Sequence, residues 1–197
     1  MTNLTPFSMK LSNKLILGSG SPRRKQLLEE AGFQFEVRTI DYDESFSASM
    51  KTSEVAEFLA RNKNMEQRKT LTNEIVLTAD TVVVHEGKIL GKPVSNAEAI
   101  STISSLSGQV HQVVTGVCIS DATKSISFSA TTEVKFKELT SSEIEFYVHG
   151  FQPMDKAGSY AIQEWIGLVG VQWIKGSFYN VVGLPISEVY HTLKENF

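Results

Sequence analysis

The chain has 197 residues, 41% of them hydrophobic and 21% charged, with a net charge of −3, the balance of an ordinary globular protein with enough chain for a substantial core. That charge excludes the broad basic face that non-specific nucleic-acid binding needs, while allowing a local basic pocket for a small anion. Cys118 is the single cysteine, so no intrachain disulfide forms, and the four histidines, His85, His111, His149 and His191, lack metal-finger spacing and read as surface or capping residues. The opening stretch MTNLTPFSMKLSN, residues 1–13, reads as an extension without the apolar segment of an export signal, and no later stretch is long enough to span a bilayer. A cytoplasmic enzyme or binding protein is the expectation.

The first element is the apolar triplet Leu15, Ile16 and Leu17, a strand that stops at Gly18, Ser19 and Gly20. Ser21 is a favoured N-cap, Pro22 suits the first helical position because it has no N–H to leave unpaired, and Gly32 suits the left-handed position past the end. A helix is therefore predicted over about 22–31. Arg23, Arg24 and Lys25 crowd its first turn, beside unpaired N–H groups and the positive end of the macrodipole, where a cation typically costs about 0.3–1 kcal/mol. Two readings account for them. Either the side chains point into water, or the glycine-bearing loop holds an anion that turns repulsion into attraction. On the second reading, removing the Arg24 charge leaves the free protein equally or more stable.

A second strand at about 34–38 leads into the polar loop DYDESFSASMKTS, after which Thr52 or Ser53 caps a helix. Val55, Phe58, Leu59 and Met65 share one face of it, with Lys63 at the flank beside Ala56 and Leu59, where a lysine either reaches a cleft or snorkels. IVLTADTVVVHEGKILGKP then reads as two strands around the turn Glu86, Gly87 and Lys88. Asp80 interrupts the first of them, and a carboxylate there is costly unless it is paired, solvated, bound to metal or placed at a bulge or strand end. Ser95 and Glu98 make a capping box for a helix carrying Ile100, Ile103 and Leu106, closed by Gly108. Strands at about 111–120 and 125–136 form an antiparallel pair. Thr140 and Glu143 cap another helix, which Gly150 ends; a strand at about 168–174, the segment GSFYNVVGLP and a helix after Pro185 complete the chain. Alternating strand and helix signals, parallel and antiparallel together, predict an α/β fold with a mixed sheet.

The words GSGSPRR, LARNK, TADTVV, GKP, DKAGSYAIQ and GSFYNVVGLP stand in the order found in the Maf family and span about 14–193. The chain thus resembles enzymes that hydrolyse nucleoside triphosphates to the monophosphate and pyrophosphate. The resemblance implies a mixed, twisted β-sheet flanked by helices, two lobes around a central cleft as in the related inosine triphosphate pyrophosphatases, and a single such domain at 14–197. It also implies a divalent metal cation, magnesium or manganese, a nucleoside triphosphate as partner rather than nucleic acid or membrane, a cytoplasmic location and a homodimer. DKAGSYAIQ, with Lys156 and Gln163, is similar to the branch acting on dTTP and UTP or modified pyrimidine nucleotides, because the 7-methyl-GTP branch typically has a glutamate-bearing word where Gln163 stands. By motif, Asp80 matches the family's proposed proton acceptor, and Arg24, Thr81 and Gln163 match positions tied to substrate choice. Ser21, Arg23, Glu44, Lys63 and Lys92 match other cleft residues, and Ser19 joins them from the first word. Gly18 stands where alanine is common, Asn64 where alanine is usual, and Gln152 where glutamate is frequent, which weakens any role for an acid at that position.

The chemistry gives these residue types a reason. Cleavage between the α and β phosphates puts water on the α phosphorus and builds negative charge on the departing pyrophosphate, so fixed cations and backbone N–H groups lower the barrier. Arg23, Arg24, Lys63 and Lys92 are candidates for that clamp. Glu44 and Asp80 offer hard oxygen ligands to a cation, and Asp80 alternatively orients or deprotonates the attacking water. Lys92 otherwise reads as a turn lysine, Glu44 as a solvated loop acid, and Gln163 as a strand-edge residue facing water rather than an amide matching the edge of uracil or thymine. GSGSPRRK lacks the spacing of a P-loop. A 7-methyl-GTP pyrophosphatase and a non-catalytic, nucleotide-sensing regulator of cell division stay open as alternatives, the second recognisable by a retained, uncleaved nucleotide.

Overall fold

In the computed structural model, which describes residues 10–197, β1 (Leu15–Leu17) runs parallel to β2 (Phe35–Val37) on one side and to β3 (Ile75–His85) on the other. Residues 1–9 of the extension predicted at 1–13 lie outside the described residues. Beyond β3 the pairing turns antiparallel: β4 (Lys88–Leu90) and β5 (Val110–Ser120) flank β3, β6 (Ser125–Phe136) follows β5, and β7 (Val171–Lys175) follows β6. The mixed sheet has the order β2-β1-β3-β5-β6-β7 with β4 beside β3. Glu86 and Gly87 both take positive φ, 48° and 74°, the backbone of a two-residue hairpin.

The helices are α1 (Pro22–Glu30), α2 (Thr52–Arg68), α3 (Asn96–Leu106), α4 (Ser141–Phe151), α5 (Trp165–Gly170), α6 (Phe178–Val182) and α7 (Ile186–Asn196). Ser21, Ser95 and Thr140 cap their helices as the sequence suggests, and Gly32 takes the left-handed position after α1 at φ 83°. Four expectations change. α2 is entered from Lys51 without a side-chain cap, so neither Thr52 nor Ser53 serves. α4 runs past Gly150 to Phe151, and Gln152 adopts the left-handed conformation instead. Residues 168–170 close α5 rather than open β7, because a short apolar run has too little periodicity to separate helix from strand. Met65 is 64% exposed, and the buried stripe of α2 continues from Val55 and Leu59 through Asn64 and Gln67. Asn64 takes that buried place because its amide is fully used: Nδ2 donates to the carbonyls of Val76 and Cys118 at 3.1 Å, and Oδ1 accepts from Ser120 Oγ.

Strand alternation divides the interior. Ile75, Leu77 and Ala79 of β3 join Leu28, Val189 and Leu193 in a core under α1 and α7, whereas Val83 on the same face joins Ile103, Phe136 and Tyr147 in a second core with α3 and α4. Val82, Val84 and Val114 face α2 at Val55, Ala56 and Leu59. Each buried Val, Leu, Ile or Phe among them contributes about 1.5–3 kcal/mol relative to exposure. The two cores belong to two lobes, and β3 passes from one to the other at Asp80 and Thr81. At that point its edge is bare among the described residues, since β1 leaves the ladder opposite Leu77 and β4 joins only at Val83. Gly116 pairs with Asp80 across β5, and a Cβ on it would lie 2.2 Å from backbone atoms of Ala56 and Glu57. The backbone of α2 therefore rests directly on the sheet.

His111 is not a surface residue. It is 1% exposed, its Nε2 lies 2.7 Å from the Tyr160 hydroxyl, and burial, aided by the charge of His85, pushes its pKa from 6.5 down to about 3. As pH falls below 6.5 the unfolded chain takes up a proton that the folded one refuses, so stability present above that pH is lost at up to about 1.4 kcal/mol per unit. His111→Gln should show a smaller fall in Tm than the wild type between about pH 7 and pH 5 by calorimetry. Gly116→Ala should cost about 1–3 kcal/mol in urea unfolding, the penalty of forcing a methyl group into a closed contact.

Candidate active site

The bare edge of β3 opens a cleft of about 390 Å³, a volume suited to a small ligand. Its walls include Ser19, Ser21, Arg23, Arg24, Glu44, Lys63, Asp80, Thr81, Lys92, Lys156 and Gln163, so the residues singled out in the sequence meet in one place. β1 delivers the loop 18–21 and the start of α1, β3 delivers Asp80 and Thr81, α2 delivers Lys63, and the segment after α4 delivers Lys156 and Gln163.

Lys63 Nζ is the hub of the acidic side of the cleft. It donates to Glu44 Oε1 at 2.6 Å and to Asp80 Oδ2, so the lysine reaches the cleft and Glu44 is no free loop acid. The second Asp80 oxygen accepts the backbone N–H of Thr81 at 2.8 Å. Asp80 thus stands mid-strand in regular register, paired rather than bulged. Partial burial pushes the Glu44 carboxyl up, but the hydrogen bond from Lys63 and the charges of Lys63, Lys92 and Arg24 outweigh it, and its pKa ends below the ordinary value. Glu44 and Asp80 converge on one point; among the described residues no group of three or more His, Cys, Asp or Glu side chains is arranged for a metal ion. That point is held by the Lys63 ammonium. By chemistry the two carboxylates suit a magnesium-like cation at their lone pairs not engaged by Lys63, since such an ion commonly takes one or two carboxylates and completes its shell with water and phosphate oxygens.

Arg24 folds inward instead of facing water. Its Nε donates to Gly183 O at 2.8 Å, Nη1 to Ser19 Oγ at 3.0 Å and Nη2 to Thr81 Oγ1 at 3.0 Å, while Thr81 Oγ1 also meets Thr115 Oγ1 at 3.0 Å. Burial pushes the guanidinium pKa down, with the Asp80 charge opposing it. These bonds point away from the expectation that the free protein is equally or more stable without Arg24, since the helix-start repulsion is smaller than the loss of three partners. Arg23 reaches the other lobe, where Nη1 lies 3.3 Å from Asp155 Oδ2, and Lys25 stays exposed near Glu29. Lys92 is exposed on the wall.

Across the cleft, Lys156 is nearly buried and donates to Asp155 Oδ1 at 2.8 Å, with Glu164 Oε1 at 3.4 Å. Gln163 is exposed in a turn closed by the Glu164 N–H on Ala161 O at 3.0 Å, not on a strand edge. Asp155 and Glu164 escaped the sequence reading. The available signal was a carboxylate adjoining each chosen residue, Lys156 and Gln163.

A cleft that gathers five cations around two convergent carboxylates, beyond the end of a parallel strand pair, defines an α/β protein built to handle a small polyanion. Residues 14–196 match the family described as Maf-like protein, and the chain belongs to that family. A dTTP/UTP pyrophosphatase of Bacteroides fragilis (strain YCH46) is 48% identical over 184 residues, 92% of this chain and 95% of the relative. One from Christiangramia forsetii is 47% identical over 185 residues, 93% of this chain and 94% of the relative. Among solved structures, a HAM1 protein from Coxiella burnetii is similar in fold, with a TM-score of 0.50 and 15% identity over 93% of this chain and 99% of that one.

Arg24→Ala should lower stability by about 1–3 kcal/mol in urea unfolding, because it leaves the Gly183 carbonyl and two hydroxyls without their donor. Equal or greater stability would restore the repulsion-dominated view of the α1 start.

Proposed function

We infer that this chain is a dTTP/UTP pyrophosphatase, hydrolysing these nucleotides to the monophosphate and pyrophosphate. The observation that carries the inference is its 48% identity, over 92% of its length, to a relative named for that activity. The cleft supplies chemistry to match.

In this mechanism a water beside Asp80 attacks the α phosphorus. Its proton passes to an Asp80 carboxylate oxygen, the bond from the α phosphorus to the bridging oxygen breaks, and that electron pair leaves with pyrophosphate. Lys63, Arg23, Lys92 and Lys156 carry positive charge to the phosphate chain, and the N–H groups at the start of α1 add donors. Arg24 fixes Ser19 and Thr81 while keeping guanidinium N–H groups beyond the three it spends internally. Glu44 and Asp80 would hold a divalent cation, magnesium or manganese, which neutralises phosphate oxygens when bound. The exposed Gln163 amide offers one acceptor and one donor to the N3–H and carbonyl edge of uracil or thymine. A cytoplasmic location, where nucleoside triphosphates are made and used, and the homodimer implied by the family resemblance belong to the same proposal.

The test is a panel of UTP, dTTP, CTP and 7-methyl-GTP with magnesium or manganese, assayed for pyrophosphate and for phosphate. Wild type should release pyrophosphate, fastest from UTP and dTTP. Asp80→Asn should keep the fold and lose at least about 100-fold in kcat. Gln163→Glu, losing about 1–3 kcal/mol of hydrogen bonding to the base, should lower kcat/KM for UTP and dTTP roughly 5- to 150-fold. Preference for 7-methyl-GTP would move the chain to the sibling branch, and a retained, uncleaved nucleotide would make it a sensor.

A further inference from the structure

Lys156 presents a physical problem that its own loop does not solve. Its side chain is 9% exposed, so its ammonium needs counter-charge in the free protein, and a fixed partner to keep it aimed when a phosphate takes the place of a mobile one. Two carboxylates approach it, and they differ in kind. Asp155, at 2.8 Å, is 62% exposed and also pairs with Arg23, which makes it the more easily exchanged partner. Glu164, at 3.4 Å, is 23% exposed, and its other oxygen accepts the Tyr147 hydroxyl at 2.5 Å. Tyr147 is fully buried on α4, and its oxygen in turn accepts the Ala161 N–H at 3.1 Å. Burial, reinforced by Glu164, pushes the Tyr147 phenol well above its ordinary range, which favours the protonated, donating form.

We propose that Glu164, braced by Tyr147, is the positioning residue that holds the Lys156 ammonium in the cleft while substrate replaces Asp155. The assignment rests on the inference that Lys156 touches the nucleotide. Glu164 acts before and during binding rather than on the reacting atoms, so its loss falls on affinity. The same strut pins the turn that carries Gln163, since Tyr147 bonds at once to Glu164 and to the Ala161 N–H.

A double-mutant cycle with UTP tests this, using wild type, Lys156→Met, Glu164→Gln and the double variant, with Tyr147→Phe alongside and Tm recorded for each. Glu164→Gln keeps an oxygen for the Tyr147 hydroxyl and turns an amide NH2 toward Lys156, so both the charge and the acceptor facing the ammonium are lost. It should raise KM about 5- to 20-fold with kcat changed less than about twofold, and it should have no further effect once Lys156 is methionine. Tyr147→Phe should raise KM in the same direction. Multiplicative losses in the cycle, or an unchanged KM in Glu164→Gln, would overturn the positioning role while leaving Lys156 as a substrate contact. Wild-type kinetics in Lys156→Met would instead remove Lys156 from the substrate and the proposal with it. If Tyr147→Phe fails to fold, the Glu164→Gln cycle still decides.

Discussion

The absence of a side chain at Gly116 sets the distance between α2 and the sheet, and the charged cleft follows from that distance. A Cβ there would strike the backbone at Ala56 and Glu57. Lys63 stands seven residues after Ala56, two helical turns on and on the same face, so a helix pressed down at Ala56 brings Lys63 to the sheet as well. Helical side chains tilt toward the helix N-terminus, which turns the lysine back toward Asp80, the partner of Gly116 in the ladder. Asn64, one residue further, secures this end of the helix through the Val76 and Cys118 carbonyls. A close contact at one point and a buried amide at another thus fix the ammonium that joins Glu44 to Asp80.

Part of the positive charge in the cleft is paired internally. Lys63 is shared by two carboxylates, and Asp155 serves both Arg23 and Lys156. Asp155 is itself held below its ordinary pKa: burial opposes that shift, and the bond to Lys156 with the charges of Lys156 and Arg23 overcomes it. Exposed pairs of this kind are worth about 0–1 kcal/mol each. Exchanging the largely exposed Asp155 for a phosphate oxygen therefore costs little, whereas the more buried Asp80 and Glu164 are expensive to strip of partners. On the proposed mechanism, the exposed Asp155 gives way to a phosphate oxygen and the more buried acids keep the cations aimed.

Local signals in the sequence were legible because local physics decides them. Alternation and a tight turn gave β5 and β6 within a residue of their observed limits, and Ser21, Ser95 and Thr140 announced their helices. The ordered motif words brought together the cleft residues. What stayed hidden depends on distant partners. Met65 looked like core, yet Asn64 is the buried residue because carbonyls on β3 and β5 accept its amide. His111 read as a surface residue, yet Tyr160, 49 positions away, gives it a buried partner. Asp155 meets Arg23 across 132 residues, a pairing with no trace in either neighbourhood.

The arginines at the start of α1 join these two levels. Taken alone, the first turn breaks the rule that cations avoid a helix N-terminus, by about 0.3–1 kcal/mol for each charge. Arg24 is compensated by Thr81 and Gly183, 57 and 159 positions away, so the cost incurred in one element is recovered from two others. The recovery has a geometric product. Ser19 is tied through Arg24 to Thr81 of β3, so the loop between strand and helix is braced in the free protein. Donors fixed in advance need no ordering at the moment of binding or reaction, which is where, on the proposed mechanism, the unfavourable helix start becomes useful to catalysis.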